Sequence, residues 1–453
     1  MLPIPAKARD AAAAPAAPNL AAALATTASE HAATPNGTAP GAPGRSPAPA
    51  AEAVGPAGEI DAGRPNRPLA AVAAGASAAA QAACPWPAWD AFTARFLQAD
   101  GRVIDPSSPR AHTVSEGQAY ALFFALSQGD RPTFERILRW TEDNLAAGDL
   151  ALRLPAWQWG RRDDGSYDVL DANSASDADL WLAYALAEAG RLWNERRYRA
   201  LSSLLAERIL REETAVIPGL GRTLLPGAQG FAPAAGRWRL NPSYTPPFLM
   251  RWFATHSGDP RWRELHSTAQ RLLVASSPAG VAPDWAYFDE PALPARVADD
   301  PATQAGGFTF AGLAAADRAG AYDAIRVYLW AAMTSPNDPD AAALLQHFSR
   351  YADLADALGM PPLAVDAAAP APGGPQGPPG FAAALLPLLK ALGRPAAVAA
   401  VQTRLAAAPP AADAYYDQVL TLFGRGWLEG RFAFAADGSL LTGSACGPGA
   451  EVP

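Results

Sequence analysis

The chain has 453 residues, 36 Lys+Arg against 44 Asp+Glu for a net charge of -8, and 50% hydrophobic residues. Its only lysines, Lys7 and Lys390, leave no Gly-Lys phosphate loop, Schiff base or Ser-Lys pair, and an acidic chain with no basic run excludes nucleic acid as a partner. Five scattered histidines form no HExxH or Cys/His cluster, and no Gly-x-Ser-x-Gly elbow or Gly-x-Gly-x-x-Gly loop occurs, so the chemistry left is that of carboxylates, arginine and tryptophan, with no metal expected.

Residues 1–83 contain 33 alanines, no Trp, Tyr or Phe, and five basic residues balanced by five acidic ones. Such a stretch buries too little apolar surface to offset its ordering entropy and is expected to be disordered. Within it, Arg64 and Arg67 precede an alanine-rich run ending Ala80-Gln81-Ala82, a pattern of export signal and cleavage site displaced from its usual place. A plain Ala/Pro linker is the competing reading, and a later translation start would reconcile the two. The folded domain is expected over 84–453, with no segment long and apolar enough to span a membrane. Cys84 and Cys446 lie at its two ends, where an oxidising compartment could join them; two unrelated thiols fit the spacing as well.

From Cys84 the pattern is one helix after another. Apolar positions recurring every three or four residues predict helices over 86–97, 115–126, 132–145, 175–190, 195–212, 243–255, 260–275, 322–332, 338–358, 381–392, 396–407 and 413–423. No alternating run is long enough to build a sheet. Helices in such number suggest a bundle, solenoid or closed toroid of paired helices, and the absence of a visible repeat weakens the solenoid. Asp366 to Gly380, rich in Pro and Gly, reads as a long surface loop.

Three carboxylates fall at first turns of apolar helices. Glu116 follows Thr113 or Ser115 as cap, Asp177 opens the fourth helix, and Asp323 stands in Tyr322-Asp-Ala-Ile-Arg326. Acids at helix N-termini are usually caps favoured by the dipole. Neighbours such as Gly117, Tyr120, Tyr322 and Arg326, however, suit a cleft. Glycoside hydrolysis needs one protonated and one ionised carboxyl group, separated by their surroundings. Arg326, three residues after Asp323, is placed to hold that group ionised. Glu116 has no cation on its own helix beyond His112, so burial or a second carboxylate such as Asp177 could lift its pKa. Glu116 as acid and Asp323 as base follow. Tryptophans beside extended sequence, Trp157, Trp159, Trp238 and Trp285, could stack on sugar rings or simply pack. The acidic stretch 161–179 fails the EF-hand spacing, which argues against calcium.

Together, Ser115-Glu-Gly-Gln-Ala-Tyr120, Pro155-Ala-Trp-Gln-Trp-Gly160, Asp171-Ala-Asn-Ser-Ala-Ser-Asp-Ala-Asp179, Asn241-Pro-Ser-Tyr244 and Tyr322-Asp-Ala-Ile-Arg-Val-Tyr328 resemble glycoside hydrolase family eight. Within it, the likeness is to the periplasmic endoglucanases encoded with bacterial cellulose synthase. The resemblance spans Cys84 to Cys446, and the long Ala/Pro-rich stretch before Cys84 departs from it. It implies an (α/α)6 toroid and an inverting endo-1,4-β-glucanase without metal or organic cofactor. Its substrate would be a β-1,4-glucan, its location periplasmic or secreted, and the cellulose synthase complex a further partner. Carried across, Glu116 is the general acid and Asp323 the base that activates water. Asp177 holds the distorted sugar, Trp157 stacks a glucose, Tyr322 and Arg326 order water and base, Tyr244 lines the cleft, and Trp238 is a weaker carry-over. Inversion would set Glu116 and Asp323 about 6.5–9.5 Å apart. Two alternatives stand beside this reading: a non-catalytic glucan-binding component of an export machine, and a hydrolase of the same family acting on xylan, chitosan or mixed-linkage glucan.

Overall fold

Mostly apolar and amphipathic helical segments alternate along the sequence, and the structure alternates with them. The computed structural model describes residues 84–231, 236–291 and 306–443; the tail 1–83, with its export pattern, and Cys446 lie outside them. The helices are α1 (Pro87–Phe96), α2 (Ser115–Gln128), α3 (Arg131–Asn144), α4 (Ser176–Leu192), α5 (Arg196–Glu212), α6 (Pro247–His256), α7 (Pro260–Ala275), α8 (Ala324–Met333), α9 (Ala341–Leu358), α10 (Pro379–Ala391), α11 (Pro395–Ala407) and α12 (Tyr415–Leu428). The predicted helices are all present, with ends shifted by a few residues. The segment predicted over 243–255 is broken at Pro246-Pro247: a 3-10 turn over Pro242–Tyr244 precedes α6, because proline cannot supply the N–H that would continue the first turn into the second.

Even-numbered helices are buried along much of their length, α8 at every residue and α4 from Ser176 to Gly190. Odd-numbered helices bury one face only, as α5 does through Tyr198, Leu201, Leu205 and Ile209. Rings from five even helices meet in one aromatic cluster. Phe123 of α2, Trp181 of α4, Phe248 of α6 and Trp330 of α8 all lie near Phe423 of α12 or near one another, at centroid distances of 4.9–6.1 Å. Each such ring pair adds about 0.5–1.5 kcal/mol beyond its buried area. Helix α10 packs between α8 and α12.

Prolines in the first turns of α1, α3, α6, α7, α10 and α11 occupy positions whose N–H would have no helical partner. Side-chain caps occur on odd helices, where Asp130, Glu195 and Asp259 accept from Thr133, Arg197 and Arg261. The even helices have none. Neither Thr113 nor Ser115 caps α2, contrary to expectation. Val114 is the N-cap residue, and the Thr113 hydroxyl instead donates to the Val103 carbonyl at 2.7 Å.

The expectation of no sheet also needs correcting. Short antiparallel strands decorate the loops: β1 (Thr113–Val114), β2 (Gln158–Arg161), β3 (Tyr167–Asp171), β4 (Thr214–Ile217), β5 (Gly221–Leu224), β6 (Arg237–Leu240), β7 (Ala286–Asp289), β8 (Gly307–Phe308), β9 (Ala319–Gly320), β10 (Val365–Asp366), β11 (Phe432–Phe434) and β12 (Leu440–Thr442). They pair as β1-β2-β3, β4-β5, β6-β7-β8, β9-β10 and β11-β12. Strands of two to five residues are too short for a period of two to stand out in a sequence. Residues 367–378 form the loop expected there, exposed from 371 to 376. Among the described residues no helix is long and apolar enough to cross a membrane.

Candidate active site

The first turns of α2, α4 and α8 bring three acids together. The Ser115 N–H donates to the Trp157 carbonyl at 2.9 Å, and the Trp157 N–H donates to the Asn173 carbonyl at 2.8 Å. The segment bearing Trp157 is thus laced between the entrances of α2 and α4, where Glu116 and Asp177 are the second residues. Trp157 itself is half-buried, packed on the main core. Gly117 lets α2 approach α12: a Cβ there would stand 2.3 Å from the Tyr415 hydroxyl.

Asp323, at the N-cap position of α8, is buried and doubly held. Its Oδ1 accepts from Arg326 Nη2 at 2.8 Å and its Oδ2 from Asn241 Nδ2 at 3.1 Å. The Asn241 amide cannot turn round, because its oxygen accepts from both the N–H (3.0 Å) and the hydroxyl (2.8 Å) of Ser243. Both oxygens of the carboxyl group are thus held by donors, one of them a charged guanidinium. Beneath the turn, Asp284 Oδ1 accepts the N–H groups of Ala321, Asp323 and Ala324 at 2.7–3.0 Å. Burial, then the Asp323 charge, pushes Asp284 up to about 7 despite those three bonds. Gly320 makes the turn possible, since a Cβ would meet the Ala282 carbonyl at 1.9 Å.

Arg326 is the hub. Besides Asp323 it donates to the Ser243 hydroxyl at 2.9 Å and the Tyr416 hydroxyl at 3.4 Å, and its Nη2 lies 3.6 Å from Asp177 Oδ2. Burial works against its charge, but Tyr416, Tyr120, Asp323 and Asp177 outweigh it. The Tyr416 hydroxyl in turn donates to the Tyr322 carbonyl at 2.6 Å. Tyr322 sets its ring edge-on to Phe381 at 5.2 Å, and its buried hydroxyl has no partner among the described residues.

Glu116 and Asp177 differ from Asp323. Burial raises the pKa of Glu116, and the Asp323 charge pushes the same way; its own backbone N–H and Arg326 oppose this. Burial likewise lifts Asp177 well above the carboxylate range, reinforced by Glu116. Its Oδ2 makes no hydrogen bond. Tyr244, on the 3-10 turn, feels Asp177, Asp323 and Glu116, with its ring centroid 5.9 Å from the Arg326 guanidinium carbon.

Glu116, Asp177, Tyr244, Tyr322, Asp323 and Arg326 therefore form one group with Trp157 at its edge. Trp238 does not join it. It is 9% exposed in a satellite core with Leu225, Leu240 and Phe288, and its Nε1 donates to Glu290 at 2.8 Å; a ring so covered has no face for a sugar. Asn241, Ser243, Asp284 and Tyr416 were not assigned roles from sequence. Asn241 and Ser243 lie inside the Asn-Pro-Ser-Tyr motif and Tyr416 inside Asp413-Ala-Tyr-Tyr416, so the signal was polar residues flanking the aromatic motifs.

A family profile described as "Glycosyl hydrolases family 8" matches residues 63–430. The chain is 46% identical over 359 residues to an endoglucanase of Escherichia coli (strain K12), covering 79% of this chain and 91% of that protein. It is 46% identical over 360 residues to an endoglucanase of Xanthomonas axonopodis pv. citri, covering 79% and 89%. The crystal structure of an endo-1,4-D-glucanase from Vibrio fischeri ES114 superposes with a TM-score of 0.71 at 41% identity, over 79% of this chain and 99% of that one.

Proposed function

The chain belongs to glycosyl hydrolase family 8, and on that premise we propose that it is an endoglucanase cutting internal β-1,4 bonds of a glucan by single displacement with inversion. The observation that carries the reading is the contrast between two acids of one cluster: burial raises the pKa of Glu116, while both oxygens of Asp323 accept hydrogen bonds, from Arg326 and from Asn241.

Glu116 gives its proton to the leaving glycosidic oxygen as the bond to the anomeric carbon breaks. Asp323 accepts a proton from the water that attacks that carbon from the opposite face. The product hemiacetal then has the reverse anomeric configuration, and Glu116 and Asp323 have exchanged charge states. Arg326 and Tyr322 hold the base and the water, Asp177 grips the ring being distorted, Tyr244 lines the cleft, and the half-buried Trp157 offers a face to a neighbouring glucose. No step calls for a metal or organic cofactor.

The alternation of buried and one-faced helices, with Phe423 of α12 lying 5.7 Å from Phe123 of α2, supports a closed (α/α)6 toroid over the domain that begins at Cys84. Cys84 carries no free thiol, which suits a periplasmic or secreted protein. Likeness to endoglucanases encoded with cellulose synthase makes that synthase complex the partner proposed.

The test is a panel of carboxymethylcellulose, xylan, chitosan and mixed-linkage glucan, with the product anomer read by NMR at early times. The expected result is hydrolysis of the β-1,4-glucan with inversion, lost in Glu116→Gln and Asp323→Asn. Retention of configuration would remove the single displacement. Unchanged hydrolysis in both variants would remove the assignment altogether.

A further inference from the structure

A groove of about 560 Å³ lies between the β2–β3 hairpin, the end of α3 with the loop after it, and the turn at 228–229. None of the residues in the candidate active site lines it. On one wall Tyr167 stacks on Trp159, centroids 5.3 Å apart and planes 22° from parallel. Trp140 closes the edge of Trp159 at 5.3 Å. Behind both rings the buried Arg102 sets its guanidinium 4.2 Å from the Trp159 centroid and 5.3 Å from that of Tyr167. Arg102 is itself fixed by the Thr113 hydroxyl at 2.8 Å and the Ala111 carbonyl. The ring pair is therefore backed and oriented, yet Tyr167 is 49% exposed. Across the groove Asp143, Arg153 and Gln229 have side chains with no hydrogen bond or ion pair among the described residues.

We propose that this groove is a distal glucan-binding site, in which a sugar ring lies on Tyr167 while Asp143, Arg153 and Gln229 bond its hydroxyls. The proposal rests on the glucanase reading above. A held aromatic face with unpaired donors and acceptors opposite it matches a neutral pyranose, which presents C–H groups on one face and hydroxyls at its edge. Asp143, Asp168 and Glu212 outnumber Arg153 on the lining, which disfavours an anionic polymer. Position points to the same chain that enters the cleft. Trp159 stands two residues beyond Trp157 in β2, about 7 Å at the rise of a strand, and the groove-lining Asn173 and Ser174 lead directly into the turn bearing Asp177.

The experiment uses the full chain made inactive by Glu116→Gln, so that the ligand survives, run in native gels containing hydroxyethyl cellulose. Tyr167→Ala should weaken retention roughly 2- to 12-fold, the range an aromatic contact supplies. Arg153→Ala should weaken it less, and Tyr167→Phe, which keeps the ring face, should bind as the parent does. In the active chain, Tyr167→Ala should raise KM on the polymer by the same factor, and by more than it raises KM on cellotriose. Retention untouched by both alanine variants overturns the site, as does a parent that the glucan does not retain. Equal losses on polymer and cellotriose overturn it too, since they would make Tyr167 a general support of the hairpin. Tyr167-dependent retention by a wild-type chain that releases no reducing ends would defeat the glucanase reading and leave the groove standing.

Discussion

Two buried acid clusters lie close together near the start of α4, and they solve the same electrostatic problem in opposite ways. In one, Asp323 accepts from Arg326 and Asn241, with Asp177 sharing the cation at 3.6 Å. In the other, Asp179 on α4 and Glu213 just after α5 are both fully buried; burial and then the Glu213 charge raise Asp179, and no arginine is among the groups acting on either. Neither Asp179 carboxyl oxygen has a hydrogen-bond partner among the described residues, and the Glu213 carboxyl has only the Ser174 hydroxyl at 2.5 Å. Burial without a cation raises both carboxyl groups, so the second cluster favours the protonated form where the first has a cation. Asp179 is in the first turn of a helix, as Asp177 is. A helix dipole contributes about 0.3–1 kcal/mol, against several kcal/mol for burying an ion. The comparison teaches that what separates the two clusters is a cation in direct hydrogen-bond contact, rather than helix position or depth: Asp177, near Arg326 but without a hydrogen bond to it, is raised as Asp179 is.

The strongest blow to that comparison is removal of the cation. Arg326→Gln leaves Asp323 and Asp177 buried without it, a change that typically costs about 3–5 kcal/mol. Urea unfolding should show a loss of that order together with collapse of glucan hydrolysis. Adding Asp177→Asn should recover part of the stability but not the activity. If the single variant unfolds at the wild-type midpoint, the Asp323 corner does not depend on its cation and the contrast is gone.

Next in size is the pH response of the other cluster. Burial pushes Glu213 up to about 8, against about 4.3 in an unfolded chain. A raised carboxyl contributes stability that is fully present below the unfolded value and lost as pH rises through the folded one. Wild-type stability should therefore decline between about pH 4.5 and 8, by at most ~1.4 kcal/mol per unit from this group. Glu213→Gln keeps a hydrogen-bonding side chain but cannot ionise, so its unfolding midpoint should fall less steeply across that window. Parallel pH profiles for the two proteins would mean that Glu213 does not titrate in that window.

The two clusters were not equally legible in the sequence. Asp323 and Arg326 are three residues apart on one helix, so local spacing alone pairs them. Asp179 and Glu213 are joined by the packing of α5 against α4, and nothing near either residue in the chain announces the other. The same limit hid Asn241 from Asp323, 82 residues away. The helices were visible because each carries its apolar positions within its own continuous stretch of sequence. The short strands were not, since they are completed by partners elsewhere in the chain. Trp238 was misread for a local reason. In Arg237-Trp238-Arg239 the alternation is that of a strand with tryptophan inward and arginines outward, which already pointed to packing rather than to a sugar platform.

The smallest expected effect lies where the second cluster touches the first. Ser174 donates its hydroxyl to Glu213, and its oxygen accepts the Ala228 N–H at 3.1 Å. The acid pair is thereby tied to the segment that delivers Asp177, whose neighbour Ser176 donates its N–H to the Pro226 carbonyl at 3.1 Å. Ser174→Ala removes two hydrogen bonds of about 1 kcal/mol each and leaves one acid oxygen buried without its donor, so the unfolding free energy should fall by about 2–3 kcal/mol in all. If the tie is only structural, kcat/KM falls evenly at every pH. If the proton-holding pair sets the field felt by Asp177 and Glu116, as the repulsion from both on Asp179 implies, the alkaline limb of the kcat/KM profile should also move. A profile that drops without moving would confine the pair to stability and leave the alkaline limb of catalysis to Glu116 and its neighbours Asp177 and Asp323.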